Sequence, residues 1–193
     1  MHQFMRSFCL VLITFHLSAQ PRYEGNWKPG MVVTAKGDTL NGYVHFQGKI
    51  TELQFHNDYM VRVFYTSQIK AFQYYDQALG KQRYFANYPS DYGDAGKKRL
   101  LEKILWGKYH FLRGISIADP INSGLEAQHE YSESGAFYLF DGKKTVRIKN
   151  FTRQFEALFA SHKIDLKALL KEKNWTTYRA SDMVKLIGRL NKE

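Results

Sequence analysis

From Met31 onward the chain alternates apolar and polar residues with a period of two, the pattern of strands with one face buried. Met31, Val33 and Ala35 share one side, and beyond a Gly37-Asp38 turn Leu40, Val44 and Phe46 repeat the alternation. A two-residue turn there sets Ala35 against Leu40 and Met31 against Val44, which gathers the apolar residues of both strands on one face. A second turn at Gly48-Lys49 sets Val44 against Leu53 and Gly42 against Phe55, adding a third strand to that face. Residues 60–65 and 69–75 supply a fourth and a fifth, with Asn57-Asp58 as the turn before them and Thr66 to Gln68 as the break between them. The first half of the chain is therefore expected to form a sheet of about five strands.

The pattern then changes. Leu100, Leu101, Ile104 and Leu105 recur at helical spacing beside Lys97, Lys98, Arg99 and Lys103, which predicts a short amphipathic helix ended by Gly107. Tyr109 to Ile117 reads as a strand, and residues 118–134 as a long polar loop. Residues 136–140 and 145–149 flank Asp141-Gly142, a strong short-range hairpin signature. Phe151, Phe155, Leu158 and Phe159 then mark one helix, Leu166, Leu169 and Leu170 after an Asp165 cap a second, and Met183, Ile187 and Leu190 after a Ser181 cap a third. Each has one apolar stripe that it cannot hide alone, so the helices must dock on the sheet or on one another. The fold class expected is α+β, a mainly antiparallel sheet of meander and hairpins followed by short C-terminal helices packed on it.

The opening residues add an address. Arg6 is the only charge in MHQFMRSFCLVLITFHLSA, an apolar run from Phe8 to Leu17 follows, and small residues precede Gln20. This is the layout of an export leader cleaved between Ala19 and Gln20. The run is about half of the roughly 20 residues a membrane-spanning helix requires, so no transmembrane span is expected. Residues 20–30 read as a linker and 31–193 as one domain. Of 193 residues and a net charge of +10, removing 19 residues and the Arg6 charge leaves 174 residues and +9. Cys9 goes with the leader, so no disulfide, thiolate nucleophile or Cys-type zinc site is expected. An exported protein this basic is attracted to anionic envelope components, or to an acidic envelope protein, by a field that salt screens. The export leader turns the same charge away from nucleic acid.

Candidate chemistry is sparse. Ser116, within Gly114-Ile115-Ser116-Ile117-Ala118, resembles a nucleophile elbow, but Ile115 and Ile117 bracket it as in a strand and Pro120 forbids the helix that an elbow feeds. His45, His56, His110, His129 and His162 show no helical ligand spacing, and the turns above set His45 against Glu52 and His56 against Asn41. Glu126, His129, Glu130 and Glu133 form an acidic cluster in the long loop, with nothing in the sequence to fix its geometry. Lys163, Lys167 and Lys171 make a stripe at i, i+4 and i+8 that suits an anionic surface or simply the wet side of a helix. Tyr59, Tyr74, Tyr75, Tyr84, Tyr88 and Tyr92 are dense enough for an aromatic platform, though β preference accounts for most of them. No catalytic residue, metal site or cofactor is assigned, and the residues of any ligand site are unknown.

Pro29-Gly30-Met31-Val32-Val33-Thr34 and Lys36-Gly37-Asp38-Thr39-Leu40-Asn41-Gly42-Tyr43-Val44 resemble the opening of a group of exported proteins of Gram-negative bacteria. Those begin, after a leader ending in Ala-Gln, with a G-x-[IV]-x-[ST]-x-x-G-D-T-[IL]-x-G-x-[IV] hairpin. Phe151 to Asn191 is similar to their closing run of short helices, with Leu190-Asn191 standing where they carry an aromatic-Asn pair. The resemblance implies export and an arrangement of turns, and it carries over no functional residue. The expectation is a non-enzymatic binding or structural module of the envelope: periplasmic, outer-membrane-associated or secreted. The alternatives are a basic module for anionic glycan or lipid and a secreted serine hydrolase using Ser116. N-terminal mass spectrometry of fractionated native cells tests the address. The protein should begin at Gln20 outside the cytoplasm, and a cytosolic product retaining Met1 would contradict the leader.

Overall fold

The computed structural model describes residues 27–46, 52–89, 98–114 and 136–193. The Ala19-Gln20 cleavage, Cys9, Ser116, Tyr92 and the Glu126–Glu133 cluster lie outside them.

Ten strands form one antiparallel sheet: β1 Lys28–Thr34, β2 Thr39–Phe46, β3 Glu52–Asn57, β4 Met60–Tyr65, β5 Ile69–Asp76, β6 Lys81–Pro89, β7 Lys98–Leu105, β8 His110–Gly114, β9 Phe137–Phe140 and β10 Thr145–Arg147. Three helices follow, α1 Phe151–Ser161, α2 Leu166–Lys173 and α3 Ala180–Leu190. The spatial order is β10-β9-β8-β7-β6-β5-β1-β2-β3-β4. The fold is α+β, as the alternation and the closing helical stripes implied.

That order carries a geometric consequence. β4, at one edge, is joined to β5 by a single 3₁₀ turn, Thr66–Gln68, although β3, β2 and β1 stand between them. Four strand spacings of about 4.8 Å make roughly 19 Å in a flat sheet, whereas the chain from Tyr65 to Ile69 reaches at most about 14 Å. The five strands must roll up. The roll encloses Val32, Val44, Phe46, Leu53, Phe55, Phe64, Ile69, Phe72, Tyr74 and Phe85 as a continuous apolar core. The closing turn is gripped from two sides: Ala35 N–H donates to Gln68 O (2.7 Å), and Asn87 Nδ2 donates to Thr66 O (2.6 Å) and Ile69 O (2.8 Å). Gly30 and Gly42 face each other across β1 and β2 on the inner surface. A Cβ on Gly30 would stand 2.4 Å from Gln73 O, and one on Gly42 2.3 Å from His56 O, so only glycine admits the close approach there.

Two pairing registers differ from those the turns implied. The first hairpin closes around three residues, Ala35 to Gly37, with Gly37 at φ +104° and Thr34 N–H bonded to Asp38 O. The pairs are then Val32↔Leu40 and Lys28↔Val44, and Val32, not Met31 or Val33, is the fully buried residue of β1. An odd shift exchanges faces. The second turn pairs Val44 with Phe55 and Phe46 with Leu53, a shift of two residues that keeps the face.

The helix expected at Leu100 to Leu105 is instead β7. This strand is covered on both faces, with Leu100 toward the barrel core and Leu101 toward Tyr88, Leu112 and Tyr138, so adjacent apolar residues appear where a half-buried strand would alternate. An irregularity between Lys103 and Leu105 shifts the register and completes the mimicry of helical spacing. Gly107 is not a helix cap. It lies in the β7–β8 turn at φ +153°, where a Cβ would fall 2.3 Å from the Asn191 side chain. Asn191 Oδ1 accepts from Tyr109 N–H (2.8 Å) while its Nδ2 donates to Tyr109 O (2.9 Å), so the residue after α3 clasps the chain between β7 and β8. β6 was not anticipated as a strand, and α3 begins at Ala180 with Arg179 at the cap position, which leaves Ser181 inside the helix.

The inner face is a single surface from barrel to helices. Register links Val32, Phe72, Phe85, Glu102, Arg113 and Phe137 in one row across six strands. At the barrel end this row is apolar. At the other end Phe111, Phe137 and Leu139 are covered by Phe151, Phe155 and Phe159 of α1 and by Met183, Leu186, Ile187 and Leu190 of α3. Between the two cores lies a buried ionic seam. Arg83 donates from Nε and Nη2 to Glu102 Oε1 and Oε2 (2.7 and 2.8 Å), Arg113 Nε donates to Oε2 (2.9 Å), and Asp76 sits 3.5 Å from Arg83 and 3.4 Å from Lys28. Burial pushes the Glu102 carboxyl up, but the hydrogen bonds and charge of Arg83, joined by those of Arg113, outweigh it and hold the group below the usual carboxylate range. Asp76 is held low in the same way, burial opposing and Lys28 and Arg83 prevailing.

Carboxyls that titrate lower in the folded than in the unfolded state stabilise the fold fully above the ordinary carboxylate range, and that stabilisation is lost as pH falls through their depressed values. Unfolding by urea should therefore show stability falling as the medium is acidified below about pH 4. Glu102→Gln, which leaves the buried Arg83 and the partly buried Arg113 without their shared carboxylate, should cost about 3–5 kcal/mol at neutral pH and flatten the acid dependence. An unchanged acid profile would show that the seam is not its source.

Candidate binding cleft

The C-terminal helices are set by side chains that satisfy their ends. Asn150 accepts from Arg153 N–H at the start of α1, and Asp165 Oδ1 accepts from Ala168 N–H at the start of α2 (2.9 Å). Lys163, at φ +58°, and Asn174, at φ +51°, make the left-handed residues that turn the chain into and out of α2. Lys167 pairs with Glu156 at 2.8 Å, tying α2 to α1, and Trp175 N–H donates to Leu170 O, folding the indole back over the end of α2.

These turns leave a cleft of about 800 Å³ between α2 and α3. Its floor is apolar, made by Leu105, Ile164, Ala168, Leu169, Trp175 and Val184. Gly188 also lines the cleft, where a Cβ would meet Leu105 at 3.9 Å, an ordinary contact. The rim is cationic: Lys163, Lys173, Lys185, Arg189 and Lys192 against Asp165 and Glu172. Glu172 is engaged by Lys173 (2.7 Å), Lys185 by the buried Asp182 (2.9 Å) and Arg189 by Glu193 (3.3 Å). Lys163 and Lys192 have no ion-pair partner among the described residues. The Lys173 hydrogen bond and charge lower the Glu172 carboxyl. Burial pushes the Asp182 carboxyl up, but Lys185 and the Thr176 N–H outweigh it. Both therefore remain anionic at neutral pH and offset Lys173 and Lys185, which leaves Lys163 and Lys192 as the rim cations outside an ion pair. A surface of this kind can take a phosphate or carboxylate at its rim and an alkyl or ring face on its floor.

Of the lysine stripe at 163, 167 and 171, only Lys163 lines this surface. Lys163 belongs to the turn and the cleft, Lys167 is occupied by Glu156, and Lys171 stands exposed on α2. Sequence reading missed Lys173 and also Lys185, Arg189 and Lys192, which recur at i, i+4 and i+7 along α3 and just past its end and were legible as a second basic stripe.

The remaining candidates do not converge. His45 and His56, set against Gln54 and Tyr43 rather than Glu52 and Asn41, both pack edge-on against Trp27, with ring centroids 5.5 and 4.6 Å away. His110 Nδ1 lies 3.1 Å from the Tyr88 hydroxyl on the opposite sheet face from the helices. His162 closes α1 beside Ser161, Lys108 and Tyr109. The tyrosines are dispersed: Tyr74 is inside the barrel, Tyr88 in the small core on the other face, and Tyr59 and Tyr75 in solvent. Among the described residues no group of three or more His, Cys, Asp or Glu side chains could hold a metal ion, and no helix is long and apolar enough to cross a membrane. The chain matches no family model, no curated protein and no solved structure.

Proposed function

We propose that this chain is an exported, non-enzymatic binding module of the cell envelope that holds an anionic envelope component, a lipid or an acidic glycan, in the cleft between α2 and α3. The observation that carries the reading is the combination of an apolar floor with a rim on which two of five cations, Lys163 and Lys192, have no ion-pair partner among the described residues. A merely solvated helix face has no need of an open hydrophobic floor, and an apolar protein interface would deplete charge rather than concentrate it. Lys163 and Lys192 matter most, because no neighbouring carboxylate neutralises them. The export leader supplies the setting, in which phosphorylated lipids and acidic polysaccharides are the abundant anions.

The test is co-sedimentation of the purified protein with phosphatidylcholine vesicles with and without phosphatidylglycerol, and retention on a polyuronate matrix as the glycan arm. Binding should require the anionic component and weaken as salt rises. The double variant Lys163→Glu/Lys192→Glu alters two residues outside the cores and should bind at least about tenfold more weakly, each basic residue near an anionic surface being worth about 1 kcal/mol. Equal binding by variant and wild type in both arms would remove the cleft from the function.

A further inference from the structure

The two edges of the sheet are treated differently. β10 is three residues long, follows Lys143 and Lys144, and has its Arg147 carbonyl taken by Gln154 Nε2 of α1 at 2.8 Å. Short length, lysines and covered carbonyls are the ordinary means by which an edge is closed to further pairing. Among the described residues β4 has none of these three, and its one charge, Arg62, is on the inner face with Phe64. It runs six residues, Met60-Val61-Arg62-Val63-Phe64-Tyr65, with one charge, and its outward side chains Val61, Val63 and Tyr65 are 59, 50 and 52% exposed. The apolar strip continues inward on the same face, where Val61 stands opposite His56 and His56 opposite Tyr43, their rings stacked at 4.9 Å.

The open backbone groups of β4 can be identified. Tyr65, opposite Glu52, turns its N–H away from β3 to Gln68 Oε1 (2.9 Å). By the two-residue period of an antiparallel ladder, Val63 and Val61 turn their N–H and C=O groups the same way. We infer that β4 pairs with β4 of a second copy of this chain, antiparallel about a two-fold axis through Val63. Residues opposite each other must point to the same face, which leaves four registers that pair three or more residues of the strand, of which Phe64 opposite Phe64 pairs only residues 63–65. Arg62 opposite Arg62 sets like charges face to face and is destabilising. Val61 opposite Val61 brings in Tyr59, whose N–H is already held in the turn by Asn57 Oδ1. Val63 opposite Val63 pairs five residues, as many as the Arg62 register, and sets Val61 against Tyr65 and Arg62 against Phe64, so that aromatic and β-branched side chains meet and no charges of one sign oppose. With the Tyr65 N–H kept by Gln68, four backbone hydrogen bonds form: Val63 to Val63 in each direction and Val61 N–H to Tyr65 O in each direction. The pairing is self-complementary, which singles out a second copy over an unrelated strand.

The inference does not involve the α2–α3 cleft, and its salt response has the opposite sign: two like-charged copies repel, so added salt should strengthen pairing. Sedimentation should show the apparent mass doubling as protein concentration rises. Val61→Lys/Val63→Lys should remain monomeric at every concentration with an unchanged circular dichroism spectrum, since both side chains are exposed. In a Cys9→Ser background, Val63→Cys should link to its own copy through a short bismaleimide, while Lys144→Cys at the opposite edge should not. A wild-type chain that stays monomeric, whether because the edge serves a strand of another protein or serves none, overturns the inference. So does linkage at Val63→Cys no greater than at Lys144→Cys.

Discussion

Glu102 lies 3% exposed between two guanidinium groups, and the architecture depends on that arrangement. The inner face of the sheet carries two apolar cores that could each close by themselves, one rolled within the first strands and one capped by helices. Where they meet, an apolar row would let neighbouring strands slide by two residues with little cost, because the period of the pleat preserves the face. A carboxylate with bidentate and single contacts to Arg83 and Arg113 accepts only one alignment of β6, β7 and β8, since a slip in any of them leaves a buried charge without its partner. The seam thus acts on register more than on net stability, and it holds the helical half in fixed alignment with the rolled half. The Tyr74 hydroxyl, buried nearby with no hydrogen-bond partner, shows that the neighbourhood is arranged around the ions. Burial, the larger effect, pushes that phenol up and keeps it neutral.

The roll is the second constraint, and it follows from connectivity alone. One short 3₁₀ turn spans what would be four strand spacings, so the five strands curl whatever their side chains are. Side chains then decide how tightly. The facing pair Gly30 and Gly42 removes two Cβ atoms where the backbones of β5 and β3 approach, and the Phe55 ring beside Gly42 and the Val44 methyl and Tyr74 Cβ beside Gly30 occupy the space gained. Asn87 and Ala35 fasten the turn from strands far apart in sequence. Local turn chemistry, strand pairing and core packing thereby agree, which is the condition for a sequence to specify one structure.

Much of this was legible in the residues, and what was not has identifiable causes. The strands β2 to β5 alternate because they are covered on one face, and the three helices show single stripes, so element type was readable there. Registers were not, because a three-residue loop with Gly37 at positive φ and a two-residue turn leave similar sequences while differing by an odd number of positions. β6 was hidden by Arg83, an inward charge where the alternation asks for an apolar side chain. β7 was misread because burial on both faces erases the period of two. The basic cleft was barely visible: of the lysine stripe only Lys163 lines it, and only folding brings Lys173 and the cations of and after α3 beside it. Asn191, the last residue of the resemblance to exported proteins, is accounted for by its clasp on Tyr109 beside Gly107, a backbone role that no reading of isolated side chains suggests.

The two surfaces proposed for interaction sit at different stages of the same chain logic. The helices are appended after the final hairpin and shield the last strands, so the β10 edge is closed by the layer that forms the cleft. The β4 edge lies at the other end of the sheet order, beyond the reach of that layer among the described residues, and no lysine guards it. A pairing there would leave both clefts of a two-fold assembly free, and a second cleft raises the effective local concentration of cations at an anionic surface without a new contact within either copy. If both proposals hold, adhesion that is weak at one site would strengthen when two copies are joined, and an edge left without lysines would be tolerable because it is used.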